Sequence, residues 1–121
     1  MKIDVKTEIR TALLANAALI TLLGGQHIYQ LAAPDAKQFP RITFFEIDNS
    51  DIAFADDTAI VSDVPVQIDV WSKGSTSALA GEVDETMKAL GFARTGALDF
   101  YENDTLVYHK AMRYRNQYEE V

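Results

Sequence analysis

Any chemistry in this chain would rest on two histidines, His27 and His109, and on carboxylates, because its 121 residues include no cysteine. The lack of cysteine removes thiolate metal sites, a cysteine nucleophile and a disulfide framework. A serine or threonine nucleophile needs an adjacent base, usually histidine. Nothing in the sequence pairs either histidine with such a group, so both read as structural or surface residues. Pro34–Asp35 opens a pattern in which metal-dependent nucleases place two carboxylates and a lysine, but the segments "EID" and "DVW" downstream carry no lysine. The six glycines form neither a phosphate-cradling loop nor a dinucleotide fingerprint.

Carboxylates remain. Glu46, Asp48 and Asp51 lie close together, as do Asp56 and Asp57. Hard cations prefer such oxygens, yet the spacing is not that of a calcium loop. A solvated strand face and a turn account for the same residues. More informative is an asymmetry: from Ile42 through Ser72 there are seven acids and no lysine or arginine, whereas "YHKAMRYR" near the end is locally basic. The acidic segment and the strand carrying His109, Lys110, Arg113 and Arg115 have two ways to meet. They join head to tail on neighbouring copies, the heterologous contact that closes rings, or they neutralise each other within one sheet. Sequence leaves both open. The net charge of −7 argues against a dedicated nucleic-acid binder. Small molecules, other proteins, or confinement of DNA by repulsion are compatible with it.

The elements that carry these groups begin with an uncharged stretch, "TALLANAALITLLGG" over residues 11–25, behind the mixed-charge "MKIDVKTEIR". Its apolar length suits a secretory signal, but Asp4 and Glu8 alternate with Lys2, Lys6 and Arg10 ahead of it. Asn16 and Thr21 interrupt the run, and "GGQHIYQLAAP" makes a poor cleavage site. A transmembrane span would need about 20 predominantly apolar residues. Two helices of a soluble domain explain more. Val5, Ile9, Ala12 and Leu13 recur at helical spacing. Asn16 is the predicted N-cap of a second helix, "AALITLL", and Gly24–Gly25 its stop.

Beyond the glycines, "QHIYQL" reads as a short strand and "AAPDAKQFP" as a loop. "RITFFEIDNSDIAF" is one β-rich arm, "ADDT" a hairpin turn and "AIVSDVPVQIDVWSK" the return arm, with Val64, Val66, Ile68 and Val70 on one face. Pro65 lacks an N–H and suggests an edge or bulge. "GSTSALAGEVDETMKALG" is the clearest helix, with Leu79, Val83, Met87 and Leu90 as its stripe and Gly91 as its end. Gly81 inside it suggests close packing. "FARTGALDFYENDTLVYHKAMRYRNQYEE" supplies two strands around "ENDT". The predicted class is α+β: a mainly antiparallel sheet with a long hairpin over Ile42–Ser72, and with the N-terminal helices and one central helix packed on one face. At 48% hydrophobic and 24% charged residues, the 121 residues read as one globular domain over residues 1–121.

In that order, "LLANAALITLLGGQHIY", "APDAKQFPRITFFEI", "VPVQIDVWSKGSTSALAGEVDETMKALGF" and "DFYENDTLVYHKAMRYR" resemble the tail-completion proteins (tail terminator, head-to-tail joining) of long-tailed bacteriophages and prophages. The resemblance covers nearly the whole chain, and its motifs are structural rather than catalytic. It implies a non-enzymatic subunit without catalytic residues or cofactor. Such a subunit assembles as a hexameric ring, with the tail tube protein and the head connector protein as partners. DNA would pass through the ring without specific binding, and no membrane is involved. The protein would reside in the host bacterial cytoplasm during assembly and then in the virion tail. Within that frame, the Ile42–Ser72 hairpin and the Leu106–Tyr118 strand are the expected contact surfaces. Glu46, Asp48, Asp51, Asp56 and Asp57 are expected to include lumen-facing residues, since an acidic lining keeps DNA from sticking. A small α+β protein-binding module and a metal-dependent hydrolase using the acidic hairpin are the competing readings.

Overall fold

The computed structural model describes residues 3–119. Lys2 and the Glu120 end of the last predicted strand lie outside them. Helices α1 (Val5–Ala15) and α2 (Ala17–Leu23) form the apolar N-terminal stretch. Asp4 Oδ1 accepts the Thr7 N–H and caps α1. At the hinge, Asn16 Oδ1 accepts the Leu19 N–H at 3.0 Å, while its Nδ2 donates to Thr86 Oγ1 at 2.9 Å. One side chain thus starts α2 and ties it to the central helix α3 (Ser77–Ala89). Gly24, left-handed at φ 75°, ends α2 as expected. Val5, Ile9, Leu13, Leu19 and Leu23 are buried, so the uncharged stretch packs on the fold. No helix among the described residues is long and apolar enough to cross a membrane.

The strands are β1 (Ile28–Gln30), β2 (Arg41–Glu46), β3 (Ser50–Ala55), β4 (Thr58–Ser72), β5 (Ala93–Glu102) and β6 (Val107–Glu119). They form one sheet in the order β1-β2-β4-β6-β5, with β3 also on β4. Only the β1–β2 pair is parallel. The predicted single arm from Arg41 to Phe54 is in fact two strands. β2 pairs with Val66–Trp71 of β4, and β3 pairs with its Thr58–Asp63 half. Pro65 marks the break. Its carbonyl accepts the Ile47 N–H at 2.8 Å. In an antiparallel ladder a residue's N–H and C=O point to the same neighbour, so the missing donor faces the β2/β3 gap. β4 keeps its pairing with β6 from Val61 to Ser72.

Alternation along the central strands makes two unlike faces. Ile42, Phe44, Val66, Ile68, Val70, Met112 and Tyr114 are buried beneath the helices, with Leu79, Val83 and Met87 of α3 against them. Gly91, at φ 95°, closes α3 as predicted, and the Phe92 N–H reaches back to the Met87 carbonyl at 3.0 Å. Gly81 differs from expectation. It is exposed, and a Cβ built there would meet nothing within 4 Å. Close packing does not explain it.

Candidate assembly surfaces

The sheet face opposite the helices carries the groups that sequence left unplaced. Asp69 sits there only 5% exposed, because neighbours on β6 and β4 cover it. Its Oδ1 lies 2.7 Å from His109 Nε2 and accepts from Gln67 Nε2 at 2.8 Å. An ionised carboxylate only accepts, so it holds the imidazole proton on Nε2. The His109 ring stacks on Trp71 with centroids 3.7 Å apart, and on Phe100 at 5.4 Å. Trp71 Nε1 donates to Thr43 Oγ1 at 3.0 Å. Arg113 Nε donates to Gln67 Oε1 at 3.2 Å, and the Arg115 guanidinium grips both oxygens of buried Asp63. That hydrogen bond, outweighing burial, holds the Asp63 carboxyl below its usual 3.8. On the helix side, Lys110 pairs with Asp99 at 3.1 Å. The basic strand is therefore met by its own sheet: His109, Lys110 and Arg115 face carboxylates of the same chain, and Arg113 faces an amide. Internal neutralisation by the Ile42–Ser72 segment describes His109 with Asp69 and Arg115 with Asp63, whereas the Lys110 partner, Asp99, lies on β5.

A second ion cluster lies under α3. Tyr114, fully buried, donates its hydroxyl to Asp84 Oδ1 at 2.8 Å. Asp84 also holds Lys88 at 2.8 Å and Arg94 at 3.2 Å. Burial alone would raise the Asp84 pKa, but the bonds from Lys88 and Tyr114 and the nearby cations hold it below 3.8. Burial and Asp84 together push the Tyr114 phenol far upward.

The acidic candidates behave differently. Glu46 is half-buried, and its Oε1 has no hydrogen-bond partner. Asp48 accepts from Asn49 N–H at 2.8 Å and Ser50 Oγ at 2.6 Å, bonds that keep its pKa below 3.8. Asp51 accepts from Ser62 Oγ at 3.0 Å. Asp56 and Asp57 form the two-residue turn between β3 and β4, both left-handed at φ 49° and 62°. Both are exposed, and neither side chain has a partner among the described residues. Two positive-φ residues suit the tight turn that matches strand twist, but Asn-Gly is the sequence that adopts it at least cost. The β3 side chains Ile52 and Phe54 stand 50% and 61% exposed beside this tip. Among the described residues no three His, Asp or Glu converge as a metal site.

At the opposite end of β4 lies a feature that sequence reading missed. A cavity of about 520 Å³ is lined by Lys37, Phe39, Arg41, Trp71, Lys73 and Glu102, among others. The Arg41 guanidinium lies 4.4 Å from the Phe39 ring centroid and 5.4 Å from that of Trp71, and Lys73 Nζ lies 5.0 Å from Phe39. Arg41 Nη1 donates to the carbonyls of Ala36 and Gln38 at 3.1 Å, which folds the loop before β2 around it. Its Nε is buried without a partner. Burial lowers the Arg41 pKa against the pull of Glu102 and Asp35, so this cation is partly stripped of water. The named residues come from the loop before β2, from β2, β4 and the end of β5, and from the segment after β4. No single stretch of sequence holds the pattern.

The α+β fold, with one mainly antiparallel sheet under three helices, is one that known proteins share. Residues 7–119 match the family described as "Tail completion protein gp17", and the chain belongs to that family. It is a structural protein of the phage tail. Among solved structures, the fold is shared with a chain of the "Virion of native gene transfer agent (GTA) particle". The TM-score is 0.68 at 16% identity, over 93% of this chain and 92% of that one. No curated protein matches it in sequence.

Proposed function

We propose that this chain, as one domain, ends the phage tail tube and joins it to the head connector, assembling as a hexameric ring around the DNA path. The observation that carries this reading is the β3–β4 arm, which projects exposed Ile52 and Phe54 with unpartnered acids instead of packing on its own core. Contiguous apolar surface rimmed by charge marks an interaction site. The likeness in fold to a gene transfer agent virion chain supports a place in a virion particle. The role is structural and not catalytic: the Asp69–His109 pair is clamped between Trp71 and Phe100 and serves to close the bare sheet face. Assembly takes place in the host cytoplasm, and the ring then resides in the virion tail.

Along the arm, Glu46, Asp48 and Asp51 lie towards its base and Asp56 and Asp57 at its tip. These acids divide between the lumen lining and the contact between copies. An acidic lining repels the DNA backbone and lets it slide. Co-expression with the cognate tail tube protein, followed by electron microscopy, tests the reading. Rings capping tubes of limited length are expected. A chain that stays monomeric and never binds tube ends would overturn it. Asp48→Asn with Asp51→Asn should leave rings intact and slow DNA passage, and mapping of both residues to the outer rim would remove the lumen assignment.

A further inference from the structure

We infer that the cavity lined by Lys37, Phe39, Arg41, Trp71 and Lys73 receives the Asp56–Asp57 hairpin tip of a neighbouring copy. This rests on the ring reading and names the contact that would build the ring. Three features point to it.

The first is charge. The cavity gathers three cations, Lys37, Arg41 and Lys73, around one acid, Glu102, in a chain of net charge −7. The tip gathers two carboxylates with no partner in its own chain among the described residues. An anion seated beside Arg41 would give its partly desolvated guanidinium, 4.4 Å from the Phe39 ring, a counter-charge. The second is apolar content. Phe39 and Trp71 floor the cavity, and Phe54, 61% exposed, stands next to the acids on the arm. Both halves thus pair an apolar anchor with charge, the composition of a desolvated interface centre.

Geometry is the third. The tip precedes Thr58 and the cavity includes Trp71, at opposite ends of the fifteen-residue β4. At roughly 3.3 Å per residue they lie about 45 Å apart, so a chain cannot fill its own cavity. A tip-to-cavity contact is therefore made between copies; made head to tail, as the ring reading requires, it is heterologous, and repetition generates a closed ring or an open filament. The turn sequence agrees. Two aspartates stand where Asn-Gly would adopt the same left-handed conformations at less cost, which is understandable if the carboxylates themselves are used. Asp48 and Asp51, away from the tip, remain for the lumen.

The native chain has no cysteine, so engineered ones report cleanly. The test uses full-length Ala55→Cys/Lys37→Cys, assembled on tail tubes and treated with a short bis-maleimide. A ladder of linked copies up to a closed ring is expected. Ala55→Cys/Ala89→Cys, with the second thiol on the exposed side of α3, and the single variants should stop at dimers. In parallel, Asp56→Asn/Asp57→Gly keeps the turn, and Lys37→Glu/Lys73→Glu spares Arg41, which the loop needs. Each should weaken ring formation about tenfold or more without lowering the melting temperature. Asp57→Lys should partly rescue Lys37→Glu/Lys73→Glu. Rings that form while the A55C/K37C pair links no better than A55C/A89C would overturn the contact and leave the ring reading standing. Rings unaffected by either charge variant would do the same. A wild-type chain that never associates, alone or on tubes, would overturn the ring reading and the contact with it.

Discussion

β4 is one strand living under two regimes. Its second half, Val66–Ser72, lies between β2 and β6, and Val66, Ile68 and Val70 are fully buried under the helices. Its first half, Thr58–Asp63, lies between β3 and the end of β6, and the arm it forms leaves Ile52 and Phe54 open to water. The second half is accounted for by folding alone: apolar area is removed from water, and the opposite face is closed by the Trp71–His109–Asp69 lattice. The first half is not. Exposed apolar side chains and a left-handed Asp-Asp turn add little to the isolated fold, and on the ring reading proposed above they are surfaces for a neighbouring copy. Pro65 sits at the boundary, where the neighbour strand changes from β2 to β3.

The sharpest break of this contrast is a pair of truncations measured by urea denaturation. Ile68→Ala should cost about 2–5 kcal/mol, the range for emptying a filled core site. Phe54→Ala should stay within about 0.5 kcal/mol, as surface changes do. Comparable losses at the two sites would merge the regimes. Next in size, Asp63→Asn removes the carboxylate that Arg115 grips where arm meets body. A loss of roughly 1.5–3 kcal/mol is expected for a hydrogen bond to a charged group.

Acid should act on the body. Asp63 and Asp84 both have folded pKa values below the usual 3.8. Groups depressed on folding contribute fully above the unfolded value and lose that contribution as pH falls through the folded one. Melting temperature should therefore drop between about pH 5 and pH 2. Asp63→Asn should flatten the drop. Smallest, Gly81→Ala on the open side of α3 should stabilise by about 0.5–1 kcal/mol, since the added methyl meets nothing. A loss there would show that the glycine faces a partner.

Much of the body was legible because its signals are local. Asn16 as cap, Gly24 and Gly91 as stops, and the period-two run Val64–Val70 each follow from neighbouring residues. The "ADDT" turn was legible for the same reason. The split of the Arg41–Phe54 arm was not, because both pieces are β-rich and the break depends on the carbonyl of Pro65, far along the chain. The division of β6 into Lys110, Tyr114 on one face and His109, Arg113, Arg115 on the other could be read from alternation. Which acids meet them depends on the register of β6 with β4 and β5 and on the packing of α3, and no local pattern fixes that. The basic aromatic cavity was least visible. Its cations sit at positions 37, 41 and 73, and only the fold of the loop over the end of β4 unites them.

Hydrogen exchange on the free protein and on the protein assembled at tube ends reads both halves of β4 in one experiment. The account predicts slow exchange at Val66–Val70 in both states. At Ile52–Val61 it predicts fast exchange in the free chain and strong protection on assembly. An arm as protected as the body when free, or unchanged when assembled, would contradict the claim that this half of the strand is built for a neighbour.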